Sequence, residues 1–186
     1  MVNVIGLGYI GLPTALMLST HGVEVVGTDC NGQLVKEMNA GHATFKEKGL
    51  DDLFEKAVDC GILFTTQYQS ADTYIVSVPT PYDKYSKCVD AQFVVGALRR
   101  VLDVCPISPG TIDRAVRPLL AEHHYKLGKD VNLVHAPERI LPGNMLYEMV
   151  HNNRTIGADS PEVAQRVKAL YASFCQGEIT TTDIRT

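Results

Sequence analysis

Short apolar runs alternate with segments of helical periodicity along the first half of the chain, and glycines separate many of them. Runs rich in valine and isoleucine predict buried strands over residues 2–5, 23–28, 62–65 and 74–78. Apolar residues three and four positions apart predict helices over residues 10–21, 33–40 and 50–58, each followed by a glycine. Strands that alternate with helices in this way indicate parallel strands joined by helical crossovers.

The second half continues this alternation less regularly. Residues 82–89 are polar and predict a mobile loop, residues 91–104 predict a helix, and another helix begins near Pro109 and continues to Glu122. Strands are expected over 131–135, 154–157 and 179–182, a turn-rich segment over 136–143, and a helix over 161–175. The 186 residues are enough for one domain with a substantial core. We therefore predict one α/β domain over residues 1–186, a Rossmann-type doubly wound, mostly parallel sheet with helices on both faces.

The link between the helix that ends at Val104 and the helix that begins at Pro109 is short for such a fold. A right-handed crossover from the 74–78 strand through the 91–104 helix should return to a parallel strand. Only Cys105-Pro106-Ile107-Ser108 is available, and four extended residues span at most about 14 Å. Either the two helices form a hairpin on one side of the sheet, or a central strand is missing between residues 104 and 109. We favour the missing strand.

Three glycines, Gly6, Gly8 and Gly11, follow the first predicted strand and lead into the first helix. In a strand–turn–helix unit the first permits a tight turn, the second lets the backbone approach a pyrophosphate, and the third lets helix and strand pack closely. Asp29 ends the second strand, where a carboxylate binds the ribose 2′-hydroxyl of NAD and repels the 2′-phosphate of NADP. No Arg or Lys follows Asp29 directly, so we predict NAD as the cofactor. A simple tight turn, and an N-cap role for Asp29, are the structural alternatives.

Thr80 lies within Pro79-Thr80-Pro81 at the carboxyl end of the 74–78 strand, where open α/β sheets bind their ligands. We therefore expect Thr80 to contact the cofactor, and an ordinary proline-rich turn is the alternative. The net charge of −4 gives no reason to expect nucleic acid or an anionic membrane as a partner. Five scattered cysteines without a CxxC pair, no long apolar run and no signal peptide predict a cytoplasmic protein with reduced thiols and no metal site.

Three motifs together make the chain resemble the N-terminal part of the nucleotide-sugar 6-dehydrogenases. They occur in the family in the same order: Gly6-Leu7-Gly8-Tyr9-Ile10-Gly11-Leu12-Pro13, Val78-Pro79-Thr80-Pro81 and Pro137-Glu138-Arg139-Ile140-Leu141-Pro142-Gly143. The arginine after Glu138, with Asn153-Arg154-Thr155-Ile156-Gly157, most resembles the UDP-N-acetylmannosamine dehydrogenase branch, and the UDP-glucose dehydrogenases are its nearest cousins. The similarity covers essentially the whole chain.

The resemblance implies two successive NAD-dependent oxidations at C6 of a UDP-sugar, from alcohol to acid, in polysaccharide biosynthesis. It also implies two groups of contact residues: for NAD, Tyr9, Ile10, Asp29 and Thr80, and for the UDP-sugar, Arg139, Ile140 and Leu141. Glu138 is the carboxylate expected to assist proton transfer, directly or through water, and a solvated Glu138–Arg139 charge pair is the alternative. The full-length parent is expected to form a homodimer or larger assembly through a central domain that this chain lacks.

The chain departs from the family pattern at several points. The family's nucleophilic cysteine, in a Gly-Gly-His-Cys context, and the Lys and Asn of its central domain have no counterpart here, so the chain alone is expected to be inactive. A strand ending in Glu-Ser-Thr is missing before Ser108, and Leu34 stands where a basic residue is often found. Two rivals remain: a β-hydroxyacid or 6-phosphogluconate-type dehydrogenase, against which the 137–143 motif argues, and a non-catalytic NAD-binding module.

Overall fold

A four-stranded parallel sheet forms the first half of the fold in the computed structural model, which describes residues 1–85, 88–104, 117–138 and 140–184. Its strands are β1 (Val2–Ile5), β2 (Val25–Thr28), β3 (Leu63–Thr65) and β4 (Thr73–Val76), hydrogen-bonded in the order β3-β2-β1-β4. All three neighbouring pairs are parallel. Because β2 and β4 lie on opposite sides of β1, the direction of winding reverses between β1 and β4, where open α/β sheets bind ligands.

Helices α1 (Gly11–Thr20), α2 (Gly32–Asn39) and α3 (Leu50–Asp59) connect the first three strands, and α4 (Gln92–Val104) follows β4. Helix α1 is buried over every residue except Thr20, because it contacts the sheet and also α3. In α4, Ala97 and Val101 pack against Ile5 of β1 and Tyr74 of β4. The predicted strands and helices of residues 1–78 are confirmed, with bounds that differ by no more than two residues.

A second sheet of three strands holds β7 (Val134–His135), β8 (Arg154–Ala158) and β9 (Ile179–Asp183); β8 is antiparallel to β7 and parallel to β9. Helices α5 (Arg117–Glu122), α6 (Met145–His151) and α7 (Pro161–Tyr171) accompany it. Ser160 caps α7 by accepting a hydrogen bond from Val163 N at 3.3 Å. One apolar core joins α1, α3, α6 and α7 to both sheets. The predicted α/β class with a mostly parallel sheet is confirmed.

Several predictions for residues 82–175 were wrong or incomplete. Residues 82–89 contain an antiparallel hairpin of β5 (Tyr82–Asp83) and β6 (Cys88–Val89) instead of a loop without strands. The strand expected over 131–135 has only two residues in β7, and the last helix ends four residues earlier than expected. Helix α6 was not predicted, because seven residues are too few for a clear helical period, although Met145 and Met149 are fully buried.

The link from residue 104 to residue 109, and the start of the helix expected from Pro109, lie outside the described residues. The described end of that helix is α5. A missing strand between residues 104 and 109 therefore stays a prediction.

Candidate functional site

The three glycines of the loop between β1 and α1 have different surroundings. Gly6 has a φ of +87°, which residues with a side chain rarely adopt. A Cβ at Gly11 would lie 1.8 Å from the Gly6 carbonyl oxygen, so α1 can begin against this loop only with a glycine there. A Cβ at Gly8 would meet no atom within 4 Å, which leaves open space in front of the backbone. The loop therefore combines the tight turn, close packing and open approach that a pyrophosphate needs.

Asp29, directly after β2, holds this loop in place through hydrogen bonds. One carboxylate oxygen accepts a hydrogen bond from Leu7 N and the other from Asn31 N, each at 2.8 Å. The alternative that Asp29 caps α2 is wrong, because the Asn31 side chain is the N-cap and accepts from Gln33 N and Leu34 N at 3.1 and 3.3 Å. A carboxylate offers about four acceptor positions, so Asp29 can also accept hydrogen bonds from ribose hydroxyls.

A cleft of about 710 Å³ opens at the carboxyl ends of β1 and β4, where the winding reverses. Six of the residues predicted to bind the cofactor line it: Gly6, Gly8, Tyr9, Ile10, Asp29 and Thr80. Gly11 lies beneath the loop, packed on Gly6, and supports the cleft without lining it. Loops that follow three different strands therefore bring the predicted residues together.

Helix α4 supplies a wall of this cleft that the sequence prediction missed. Five residues from successive turns of the helix line the cleft: Gln92, Phe93, Gly96, Ala97 and Arg100. A signal was present in the chain, because residues 92, 96 and 100 recur on one helical face. The sequence places Phe93 and Ala97 on the apolar face of the predicted helix, and the prediction left Gln92, Gly96 and Arg100 without a role.

Glu47 connects the glycine-rich loop to the turn expected to bind the UDP-sugar, and it too was missed. Its carboxylate accepts hydrogen bonds from the Tyr9 hydroxyl at 3.3 Å, from Gly143 N at 2.9 Å and from Met145 N at 3.4 Å. The bond from Gly143 is the main cause that lowers the pKa of Glu47 below its ordinary value. Desolvation, followed by the negative charge of Glu47, raises the pKa of Tyr9. Glu47 lies 96 residues before Gly143 in the chain, so no local pattern could reveal this contact.

Glu138 does not line the cleft and instead pairs with Arg154 at the start of β8. The Arg154 guanidinium donates through Nη1 to Glu138 Oε2 and through Nη2 to the Met149 carbonyl at 3.2 Å. It lies over the rings of Tyr171 and Phe174, 4.9 and 5.7 Å from their centroids. The side chains of Arg154 and Glu138 are 6% and 14% exposed. Glu138 is therefore paired with Arg154 and mostly shielded from solvent, while the alternative of a Glu138–Arg139 pair involves a residue outside the described ranges.

The other residues expected to contact the UDP-sugar occupy different environments. Arg139 lies outside the described residues. Ile140 is buried in the main core, whereas the side chain of Leu141 is exposed. Leu141 N donates to Glu148 Oε2 at 2.9 Å, which fixes the backbone of this turn to α6. The residues for the cofactor and those for the sugar thus lie in two places, with Glu47 between them.

The structure describes the side chains of three cysteines. Cys30 and Cys60 are exposed and Cys175 is buried, and all three are free thiols. In the ranges that the structure describes, His, Cys, Asp and Glu side chains form no group of three or more that could hold a metal ion. Over the same ranges, no helix is both long enough and apolar enough to span a membrane.

Comparison with known proteins gives consistent matches. The family model described as UDP-glucose/GDP-mannose dehydrogenase family, NAD binding domain, matches residues 1–175. Over 196 residues the chain is 38% identical to a UDP-N-acetyl-D-mannosamine dehydrogenase of Methanococcus aeolicus, covering 100% of this chain and 44% of that protein. Over 203 residues it is 36% identical to an NDP-N-acetyl-D-galactosaminuronic acid dehydrogenase of Ralstonia nicotianae, covering 100% of this chain and 48% of that protein.

A solved structure agrees with these matches. The native UDP-N-acetyl-mannosamine dehydrogenase of Staphylococcus aureus superposes with a TM-score of 0.90 at 37% identity, covering 99% of this chain and 48% of that one. The chain thus spans about half the length of the relatives it matches. The glycine loop, Asp29 and the cleft fit a dinucleotide, and the predicted cofactor, NAD, is confirmed by the family match. The chain belongs to the UDP-glucose/GDP-mannose dehydrogenase family, of which it forms the NAD-binding domain.

Proposed function

We propose that the protein to which this domain belongs oxidises the C6 hydroxyl of a UDP-sugar to a carboxylate, with UDP-N-acetylmannosamine as the substrate. The observation that carries this proposal is the dinucleotide cleft, in a chain that is 37–38% identical to proteins named for that substrate. NAD held in this cleft would supply the hydride-accepting chemistry, and oxidation from alcohol to acid needs two hydride transfers. UDP-glucose is the second candidate substrate, because the family model includes dehydrogenases of that sugar.

In this proposal the described residues divide between cofactor and sugar. Gly6 makes the tight turn and Gly8 leaves room for the pyrophosphate. Asp29 accepts hydrogen bonds from the adenosine ribose, and Tyr9, Ile10 and Thr80 line the remainder of the cleft. The turn from Glu138 to Leu141, including Arg139, contacts the UDP-sugar. Glu47 supports the arrangement, since one carboxylate accepts hydrogen bonds from Tyr9 and from Gly143, two residues beyond that turn.

Glu138 is proposed as the carboxylate that assists proton transfer from the sugar hydroxyl, directly or through a water molecule. Arg154 orients the Glu138 carboxylate by an ion pair and hydrogen bond. In the complete parent, Glu138→Gln should lower kcat by roughly 10²–10⁴-fold if this group is a general acid/base. An unchanged kcat in folded Glu138→Gln enzyme would remove Glu138 from the mechanism.

The second oxidation needs a thiolate that holds the aldehyde covalently. None of the five cysteines of this chain has the Gly-Gly-His-Cys context expected of that nucleophile. We therefore propose that the domain alone binds NAD without oxidising UDP-sugars, and that it acts as a non-catalytic NAD-binding module when separated from the later domains.

Turnover by the complete parent and by this domain tests both proposals. NADH formation is followed with UDP-N-acetylmannosamine and UDP-glucose as substrates. The proposal predicts turnover by the parent, faster with the first sugar, and none by the domain. Equal or faster turnover with UDP-glucose would change the substrate assignment. Steady NADH production by the domain would refute its proposed inactivity.

We also propose that the protein has a central strand between residues 104 and 109 whose residues are missing from the 186-residue sequence. The matches to relatives extend over 196 and 203 residues, ten and seventeen more than the 186 of this chain, which agrees with a shortened segment. Mass spectrometry of the tryptic peptide from Val101 to Arg114 is the test. A mass equal to that of the 14 residues in the sequence would show a genuine short link and refute the proposal, whereas a heavier peptide would show additional residues and support it.

A further inference from the structure

The wall that α4 contributes to the dinucleotide cleft ends in a positive charge. Gln92, Gly96 and Arg100 lie four residues apart on the face that lines the cleft, so this wall extends for about 12 Å along the helix axis. A Cβ at Gly96 would meet no atom within 4 Å, which leaves space for a ligand against the helix backbone. Among the described residues that line the cleft, Arg100 is the only Arg or Lys.

Arg100 lies at the end of the cleft that receives the adenosine half of a dinucleotide. The same end is lined by Asp29, which is placed to bind the adenosine ribose, and by Leu34 and Tyr68. The guanidinium carbon of Arg100 lies 6.0 Å from the centroid of the Tyr68 ring. Burial raises the pKa of Tyr68, the Arg100 charge opposes that rise, and the Asp29 charge adds to it. The phenol is therefore within electrostatic reach of both charged groups.

The guanidinium of Arg100 makes no ion pair with any residue that the structure describes. Its neighbour Arg99 differs, because Arg99 points to the other side of α4 and pairs with Glu122 at 3.5 Å. A planar, permanently charged group beside an aromatic ring and facing a nucleotide cleft is suited to stacking on a base. Leu34 also lines the cleft and offers an apolar surface on which a base can pack.

We propose that the adenine of NAD is held between Leu34 and the Arg100–Tyr68 pair, with Arg100 contributing affinity for the adenosine half of the cofactor. Arg100 is then a cofactor-binding residue supplied by α4 rather than by the glycine-rich loop or the β2 end. This proposal rests on NAD binding by the domain and is independent of the proposed oxidation of a UDP-sugar, because it is tested without substrate.

The test is equilibrium binding of NAD, AMP and nicotinamide mononucleotide to the full 186-residue chain. Arg100→Ala should weaken NAD and AMP by the same factor, about 3- to 10-fold, and leave nicotinamide mononucleotide within about twofold. Arg99→Ala is the matched control, since it removes the same charge from the adjacent exposed position. Its affinities should stay within about twofold of the unmodified chain.

Two further variants define the contact. Arg100→Lys keeps the charge and loses the planar group, so it should recover less than half of the lost binding free energy. Leu34→Arg added to Arg100→Ala should recover affinity for AMP, because it returns a guanidinium to the same end of the cleft. The proposal is overturned if Arg100→Ala binds NAD normally, if nicotinamide mononucleotide weakens as much as AMP, or if Arg100→Lys binds fully.

Discussion

Removing one partner of the Glu138–Arg154 pair should strongly destabilise the folded domain. Glu138→Gln leaves the Arg154 guanidinium enclosed by Tyr171 and Phe174 without its counter-ion. The Nε of Arg154 already has no hydrogen-bond partner in the part of the chain that is described, so the guanidinium is incompletely hydrogen-bonded even with Glu138 present. Removing one partner of a buried pair costs about 3–5 kcal/mol, because the remaining charge stays desolvated.

This cost predicts a large change in thermal unfolding. For a domain of this size each kcal/mol lowers Tm by about 2–4 °C, so Glu138→Gln should lower Tm by about 6–20 °C. The matched control is Glu122→Gln, which removes the partner of Arg99 in a pair whose side chains are 59% and 55% exposed. That change should alter stability by no more than about 1 kcal/mol. Circular dichroism and urea unfolding at pH 7 measure both variants.

A double variant separates the loss of the charge pair from a loss of packing. Replacing both partners, as Glu138→Leu with Arg154→Met, removes the uncompensated charge and should be more stable than Glu138→Gln. If Glu138→Gln fails to fold, a folded double variant still supports the reasoning. A Glu138→Gln variant as stable as Glu122→Gln, or a double variant less stable than Glu138→Gln, would refute it.

Three further outcomes can be measured on the same chain. Glu47→Gln should lower the free energy of unfolding at pH 7, and this loss relative to the unmodified chain should shrink as the pH falls below 4.5 through the lowered pKa of Glu47. Glu55→Gln, at an exposed position, is the control, and a loss of stability that does not change with pH contradicts the assignment. NAD should slow alkylation of Cys30, which lines the cleft, and should not slow alkylation of exposed Cys60; peptide mass spectrometry measures both rates. Equal rates at Cys30 with and without NAD would contradict the assignment of this cleft as the NAD site. The unmodified chain should prefer NAD to NADP, and Asp29→Ala should narrow that preference; equal affinities before mutation would exclude Asp29 as its cause.

Local features of the dinucleotide site were predictable because short-range geometry determines them. The roles of Gly6, Gly8 and Gly11 depend only on the small size and conformational freedom of glycine within one turn. The structure shows the tight turn at Gly6, the open space at Gly8 and the close packing at Gly11. Asp29 was predictable from its place at the end of an apolar run. Its additional role, holding the loop through Leu7 N, depends on the distance between two strands and was not predictable.

Interactions between distant segments depend on the tertiary structure. Glu47 reads as one charge in a polar stretch, yet it binds Tyr9 and Gly143, which lie 38 residues before it and 96 residues after it. In the sequence Glu138 is one half of a charge pair with its neighbour, and in the structure β8 adds Arg154 as an ion-pair partner and leaves the Glu138 side chain only 14% exposed. No periodic pattern in the sequence predicts either contact, because the folding of the chain determines which side chains meet when they are tens of residues apart.

The sequence by itself determined the alternation of strands and helices, the fold class and the phosphate-binding turn, since hydrophobic period and glycine conformation act within a few residues. The tertiary structure decided which face of α4 closes the cleft, where Arg100 meets Tyr68, and which carboxylates are buried. The physical reason is the same in each case. A side chain's partner, and therefore its charge, solvation and chemistry, is determined by the packing of elements whose relative positions no local pattern contains.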